Sequence, residues 1–181
     1  MKTKMTLISC AALLLVATSV QAIEGAMDIG KNYTNLTIGL GTNSPGFFLA
    51  GNWLRSNHDG NMSALALGYR IEAGGLTIAP SLRGMYIDPR HDKSGYASGL
   101  GVDASFAFDD MFGIYGNYYW SPESMANNVK SFHEIGGGFS FTPISLLKVR
   151  IGYQYLKLRS KSGSKDSVLS DGPYIGASLL L

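Results

Sequence analysis

Three histidines each stand beside an acid: His58 by Asp59, His91 by Asp92 and His133 by Glu134. A histidine with a carboxylate is the raw material of a general base or a metal centre. Their spacing fits neither a helical metal pair nor a zinc signature. In an extended strand, adjacent side chains point to opposite faces, so sequence proximity alone makes no dyad of His133 and Glu134. A second set comprises Arg83, Asp103, Glu134, Lys148 and Arg150, with Gln154 close by. A third is the basic run Lys157, Arg159, Lys161 and Lys165, set against Asp166 and Asp171. The stretch Gly99-Leu100-Gly101-Val102-Asp103-Ala104 matches a dinucleotide fingerprint by letter, but no helical pattern follows it, so the required context is missing. The single cysteine, Cys10, precedes the segments that carry these groups, which excludes a disulfide framework or thiolate metal site among them. No catalytic set, no metal and no cofactor is expected.

What these charges do depends on the elements that hold them. Met1-Lys2-Thr3-Lys4 is a positive n-region, Met5 to Ser19 is uncharged, and Val20-Gln21-Ala22 offers a cleavage site. Residues 1–22 therefore read as a cleavable signal peptide and 23–181 as one mature domain. A lipoprotein reading at Leu7-Ile8-Ser9-Cys10 is weaker, because the best apolar run, Leu13-Leu14-Leu15-Val16, lies after the cysteine. The whole chain of 181 residues carries a formal net charge of +2, and Lys2 and Lys4 account for it. A mature chain with no net charge is neither a basic nucleic-acid binder nor an acidic tail.

The mature segment alternates. Leu36-Thr37-Ile38-Gly39-Leu40, Leu65-Ala66-Leu67-Gly68-Tyr69, Leu76-Thr77-Ile78-Ala79 and Val149-Arg150-Ile151-Gly152-Tyr153-Gln154-Tyr155 each place a large apolar residue at every second position. That is a period-2 strand with one apolar face. A soluble sandwich would show the same period, with Lys and Glu on its second face. Here the second face is mostly Gly, Ala, Ser, Asn and Thr, as the crowded interior of a curved sheet requires. No helix could carry Pro45 and the glycines and asparagines of 32–54 through lipid. The expected fold is a closed, antiparallel, up-and-down transmembrane β-barrel, with Leu36, Leu65, Leu100 and Ile151 facing hydrocarbon.

Strands are expected near 33–42, 46–55, 62–72, 75–87, 96–108, 111–121, 132–142, 146–158 and 172–181. Between them, long connections at 56–61, 88–95, 121–131 and 159–171 alternate with short ones. Outer-membrane barrels pair long extracellular loops with short periplasmic turns. With Leu181 periplasmic, a tenth strand is needed ahead of Tyr33, and Ile23 to Ile29 supplies it. Ten strands are expected, eight if that edge segment does not pair.

The aromatics sort by strand end. Tyr33, Trp53, Tyr86, Tyr96, Tyr118, Trp120, Tyr155 and Tyr174 fall near the outer ends, while Phe47, Phe106, Phe108, Phe112, Phe139 and Phe141 fall near the inner ends. Rings belong at both membrane–water interfaces. Trp53, Tyr86, Tyr96, Tyr118, Trp120 and Tyr155 are the expected outer girdle, and alternation points Tyr119 and Tyr174 inward instead.

Gly41-Thr42-Asn43-Ser44-Pro45-Gly46, Gly51-Asn52-Trp53, Tyr118-Tyr119-Trp120-Ser121-Pro122-Glu123-Ser124, Gly152-Tyr153-Gln154-Tyr155 and Asp171-Gly172-Pro173-Tyr174 carry a family resemblance. Over nearly its whole mature length the chain resembles the YfaZ family of Gram-negative outer-membrane proteins. The resemblance implies an outer-membrane barrel and brings no active site with it. It departs from barrel proteins generally in ending on Leu181 rather than an aromatic residue.

On this frame Arg83, Asp103, Glu134, Lys148 and Arg150 form a lumen charge network, because lipid forbids them outside. Lysines 157, 161 and 165 and Arg159 form an outer-rim basic loop suited to lipopolysaccharide phosphates. The expected partners are outer-membrane lipid, lipopolysaccharide and the barrel-assembly machinery, with no nucleic acid. The expected function is a structural barrel or a small passive, porin-like channel; the alternative is a rim enzyme hydrolysing lipid A or peptides. Gly99, Gly101, Gly136 and Gly138 favour an open lumen, whereas Phe48, Tyr115, Tyr119 and Leu156 favour a filled one.

Overall fold

The computed structural model describes residues 23–90, 94–127, 129–160 and 167–181. The signal-peptide reading of 1–22, His91 and the loop cations Lys161 and Lys165 lie outside the described residues.

Alternation becomes strand throughout. The elements are β1 (Ile23–Gly30), β2 (Tyr33–Leu40), β3 (Gly46–Ser56), β4 (Gly60–Ala73), β5 (Leu76–Pro89), β6 (Gly95–Ala107), β7 (Phe112–Ser121), β8 (Ala126–Asn127), β9 (Val129–Ile144), β10 (Leu147–Ser160) and β11 (Ser167–Leu180). Every pairing is antiparallel, and the order β5-β4-β3-β2-β1-β11-β10-β9-β7-β6 closes through β5–β6. That makes a barrel of ten staves. The two-residue β8 is not a stave, since it pairs only with Tyr96 and Ala97 at the outer tip of β6. β1 pairs along its length with β2 on one side and β11 on the other, so the eight-strand alternative falls.

The turns follow from their residues. Gly74 and Gly75 join β4 to β5 with φ of 58° and 84°. Two positive φ values in a two-residue hairpin give the mirror-image turn whose twist matches that of the strands, and glycine takes it at least cost.

The outer connections are shorter than the sequence pattern suggests. The β10–β11 link spans 161–166 rather than 159–171, and the β3–β4 link only 57–59. Polar residues such as Asp171 and Ser170 read as loop, yet they continue the ladder. The reason is what lies between them. Leu158 and Leu169 face inward and bury each other's neighbours, so the strands persist past the apolar band. The ladder shifts register at Leu156/Lys157, opposite Ser170 and Val168, leaving Leu169 as the extra residue of a bulge.

The outer face is apolar. Leu36, Leu65, Leu100 and Ile151 point away from the barrel axis, with Leu65 and Leu100 each 58% exposed. Aromatic rings pair along both rims of this band: Tyr86 with Tyr96 at 5.1 Å toward the outer end, Phe112 with Phe141 at 5.1 Å and Phe47 with Tyr69 at 5.0 Å toward the inner end. Trp53, Tyr86, Tyr96, Tyr118 and Trp120 are exposed on the outward face, and the half-exposed Tyr155 alternates with inward Gln154 and Leu156. Tyr33 departs from the expected belt. It turns inward and is 1% exposed, edge-on to Tyr174 at 6.4 Å between ring centroids.

Candidate functional site

The interior is layered from the outer end to the inner end. At the outer end Tyr33, Leu54, Met62, Met85, Ile87, Ala97, Tyr119, Phe132, Leu156, Leu158 and Leu169 form one buried cluster, each at most 4% exposed. These residues come from nine of the ten staves and all lie near the ends opposite the chain termini. Alternation places them there, since they share the inward face with Gln154 and Ser121. They pack as an apolar plug in the outer end of the lumen.

Below the plug lies a polar layer. Arg83 Nη1 on β5 donates to Glu134 Oε2 on β9 at 2.6 Å. Glu134 Oε1 accepts from Asn117 Nδ2 at 3.0 Å and Gln154 Nε2 at 3.2 Å, which accounts for both its oxygens. The Arg83 guanidinium carbon stands 3.5 Å from the Tyr119 ring centroid, a cation–π contact. The Tyr119 hydroxyl donates to Asp103 Oδ2 and accepts from Ser81 Oγ at 3.3 Å. Asp103 is therefore held by a tyrosine within the expected lumen network, and among the described residues its Oδ1 accepts no hydrogen bond.

Arg150 pairs with a partner that the sequence pattern missed. Its Nη2 donates to Asp28 Oδ1 on β1 at 2.8 Å, and Asn35 Nδ2 supplies Asp28 Oδ2 at 3.2 Å. Asn52 continues the chain to Asn35 at 2.5 Å and Thr37 at 3.2 Å. Asp28 was legible in principle, because alternation with Ile29 turns it inward, but the long-range partner was not. Between the two ion pairs, the Tyr115 and Tyr174 hydroxyls meet at 2.5 Å.

Beneath this layer a cavity of about 430 Å³ opens toward the end that holds the termini. Arg70, Lys148, Glu24 and Asp103 line it, with Ala50, Ala64, Ala66 and Ala79 on the β3–β5 side. Glu24 Oε2 accepts from Thr42 Oγ1 at 2.8 Å and Asn43 Nδ2 at 2.9 Å. Arg70 donates to Glu72 at 2.7 Å and to the Thr42 carbonyl. Among the described residues Lys148 lines the cavity without an ion pair, whereas Arg83, Glu134 and Arg150 are ion-paired and Asp103 is held by the Tyr119 hydroxyl.

The small residues of the inward face do not leave space. A Cβ at Gly101 would sit 2.0 Å from the Tyr119 ring, at Gly68 2.4 Å from Phe48, and at Gly152 2.6 Å from the Tyr115 hydroxyl. At Gly136 it would meet Asn117 at 2.5 Å. Each glycine is a socket for a bulky side chain of another strand. The expectation that Gly99, Gly101, Gly136 and Gly138 favour an open lumen is corrected: Tyr119 fills the space at Gly101 and Asn117 at Gly136, while neighbouring backbone crowds Gly99 and Gly138.

At the outer rim Lys157 and exposed Arg159 alternate with buried Leu156 and Leu158, so both cations face outward, toward the membrane surface. His133 pairs laterally with Trp120 and Lys157 on the outer face, while Glu134 is buried inside. Among the described residues no group of three metal-ligating side chains gathers.

The same architecture recurs among solved outer-membrane barrels. The chain superposes on a KdgM porin in complex with disordered oligogalacturonate with a TM-score of 0.51, covering 87% of this chain and 98% of that one at 12% identity. It superposes on the NanC porin with a TM-score of 0.50, covering 90% and 100% at 12% identity. Those likenesses are of fold. In sequence, the chain is 34% identical over 173 residues to the outer membrane protein YfaZ of Escherichia coli (strain K12), covering 96% of each. The family model described as "YfaZ precursor" matches residues 1–181. An apolar-faced barrel of this sequence is an outer-membrane protein, and the chain belongs to the YfaZ family.

Proposed function

We propose that this outer-membrane barrel is closed to solute flow and serves as a structural, lipid-anchored wall rather than a passive channel or an enzyme. The observation that carries the reading is the plug. An ion crossing the outer third of the lumen would leave water for a dry cluster that includes Phe132, Leu156 and Leu169, all at 0% exposure. Desolvating a charge there costs several kcal/mol at least, and no wall group compensates it. Likeness to porins at 12% identity is of fold alone, so it does not carry conduction over.

Outward cations at the outer rim support lipopolysaccharide as the lipid partner, through phosphates near Lys157 and Arg159. Ile175, Leu179 and Leu181 alternate outward at the closing strand, a surface suited to handling by the barrel-assembly machinery. The non-enzymatic reading is supported by the opposed faces of His133 and Glu134, which cannot share a proton in this register.

Planar-bilayer recording of the refolded mature barrel tests the reading. No discrete conductance steps are expected from the wild type in molar salt, and steps should emerge when Phe132, Leu156 and Leu169 are all replaced by serine. Ohmic single-channel steps from the wild type would refute closure.

A further inference from the structure

Besides the Arg83–Glu134 and Arg150–Asp28 pairs and the turn carboxylates Asp109 and Asp110, four charged side chains line the inner cavity from different sides. Arg70 stands on β4 and Lys148 on β10, five staves apart in a ring of ten and so on opposite walls. Asp103 on β6 and Glu24 on β1 occupy the two arcs between them. Read around the ring, the signs alternate: positive, negative, positive, negative. Two of the four are already committed to the wall, since Arg70 is held by Glu72 and the Thr42 carbonyl, and Glu24 by Thr42 and Asn43. The other two keep capacity. Among the described residues Lys148 has three donors and no hydrogen-bonded partner, and Asp103 uses one oxygen on Tyr119 while the other accepts no hydrogen bond. Arg150, whose charge acts on Lys148, also holds a buried Nε without a partner.

An ammonium that faces a cavity unpaired, with a carboxylate oxygen unpaired on another wall, is matched by a ligand carrying both opposite charges. A ligand of one sign satisfies one group and leaves the other beside it. The alanine face of β3–β5 leaves room for a short apolar side chain, and a volume of about 430 Å³ lies within the range of small-molecule sites. Because the plug seals the outer end, such a ligand enters and leaves on the periplasmic side.

We propose that the cavity is a periplasm-facing binding site for a small zwitterion, with its anionic group on Lys148 and its ammonium on Asp103. The chemistry is shared by short peptides and by phosphoethanolamine headgroups. Sidedness rests on the closed-barrel reading; the ligand class rests on the charge ring.

Isothermal titration of the refolded mature barrel in detergent tests it, with alanyl-alanine and glycerophosphoethanolamine as probes and acetate and ethylamine as single-charge controls. At least one zwitterion should bind saturably, at least tenfold more tightly than either control. Saturation by alanyl-alanine alone assigns a peptide source, and by glycerophosphoethanolamine alone a lipid-headgroup source. Lys148→Met and Asp103→Asn should each weaken binding at least tenfold while keeping the heat-modifiable gel mobility of a folded barrel. Lys148→Met breaks no hydrogen bond among the described residues and removes only the attraction to Glu24, so it keeps the test valid if Asp103→Asn disturbs Tyr119. No saturation by either zwitterion, controls that bind as well, or a Lys148→Met variant that binds like the wild type would each overturn the proposal. Bilayer recordings on the same samples separate the two readings: conduction defeats closure, whereas lack of binding in a silent barrel defeats only the zwitterion site.

Discussion

Arg83 and Glu134, 51 residues apart in the chain, meet at 2.6 Å across the lumen from strands that do not touch in the sheet. The pair is a strut between staves three apart in the ring of ten. Glu134 also collects Asn117 and Gln154, and Arg83 lies on Tyr119, so the strut joins β5, β7, β9 and β10. Hydrogen-bond ladders hold neighbouring staves at fixed spacing; the strut restrains the cross-section of the tube.

Removing one end should be costly. Glu134→Ala leaves a buried guanidinium uncompensated, and a loss of about 3–5 kcal/mol is expected. Urea unfolding of the refolded barrel, followed by tryptophan fluorescence, measures it. Replacing both partners, Arg83→Met with Glu134→Leu, should recover most of the loss. A double variant no more stable than Glu134→Ala would show that the pair itself carries the stability.

The plug should behave as a protein core inside a membrane barrel. Phe132 and Leu156 are fully buried among apolar neighbours. Their single alanine variants should each lose roughly 2–5 kcal/mol by the same unfolding assay. Variants that unfold like the wild type would mean that the outer lumen is wet.

Two glycines should respond in opposite ways. Gly101→Ala drives a methyl into the Tyr119 ring at 2.0 Å, whereas a Cβ at Gly25 meets nothing within 4 Å. A cost of about 1–3 kcal/mol is expected for Gly101→Ala and little change for Gly25→Ala. Tyr119→Ala should relieve the clash in part, so the double-variant cycle should show a favourable coupling between the two sites.

The lipid face can be tested with a charge. Leu65→Arg on the outward side of β4 should cost about 2–4 kcal/mol and slow insertion into vesicles, as expected near the bilayer midplane. Ala66→Ser, one residue away on the inward face, should insert like the wild type. Equal behaviour of the two would contradict the assigned faces.

How much of this was legible in the chain differs by element. The alternation in Leu65-Ala66-Leu67-Gly68-Tyr69 is local, set by the two-residue period of a strand, and it settled which side chains face lipid. Aromatic residues sorted by strand end for the same reason, and the inward turns of Tyr119 and Tyr174 follow from parity alone. Tyr33 follows the same parity, since outward Leu36 and Ile38 turn the odd positions of its strand inward, but its place at a strand end grouped it with the belt. The start of the last strand, around Leu169, was misread as loop because polar neighbours mask an inward apolar residue there. The lumen charges were correctly placed inside, since hydrocarbon excludes them, but their partners were not assignable. Asp28 finds Arg150 only once β1 closes the ring on β11.

Period and composition in the sequence therefore determined the barrel, its apolar exterior and the inward set of small and charged residues, because each depends on neighbours one or two positions away. Only the tertiary structure decided that an apolar cluster gathers at one end of the lumen and a cavity lies toward the other. Whether a glycine is a gap or a socket depends on a side chain from another strand, and the closure that brings Tyr119 over Gly101 and Arg83 to Glu134 is a property of the whole ring.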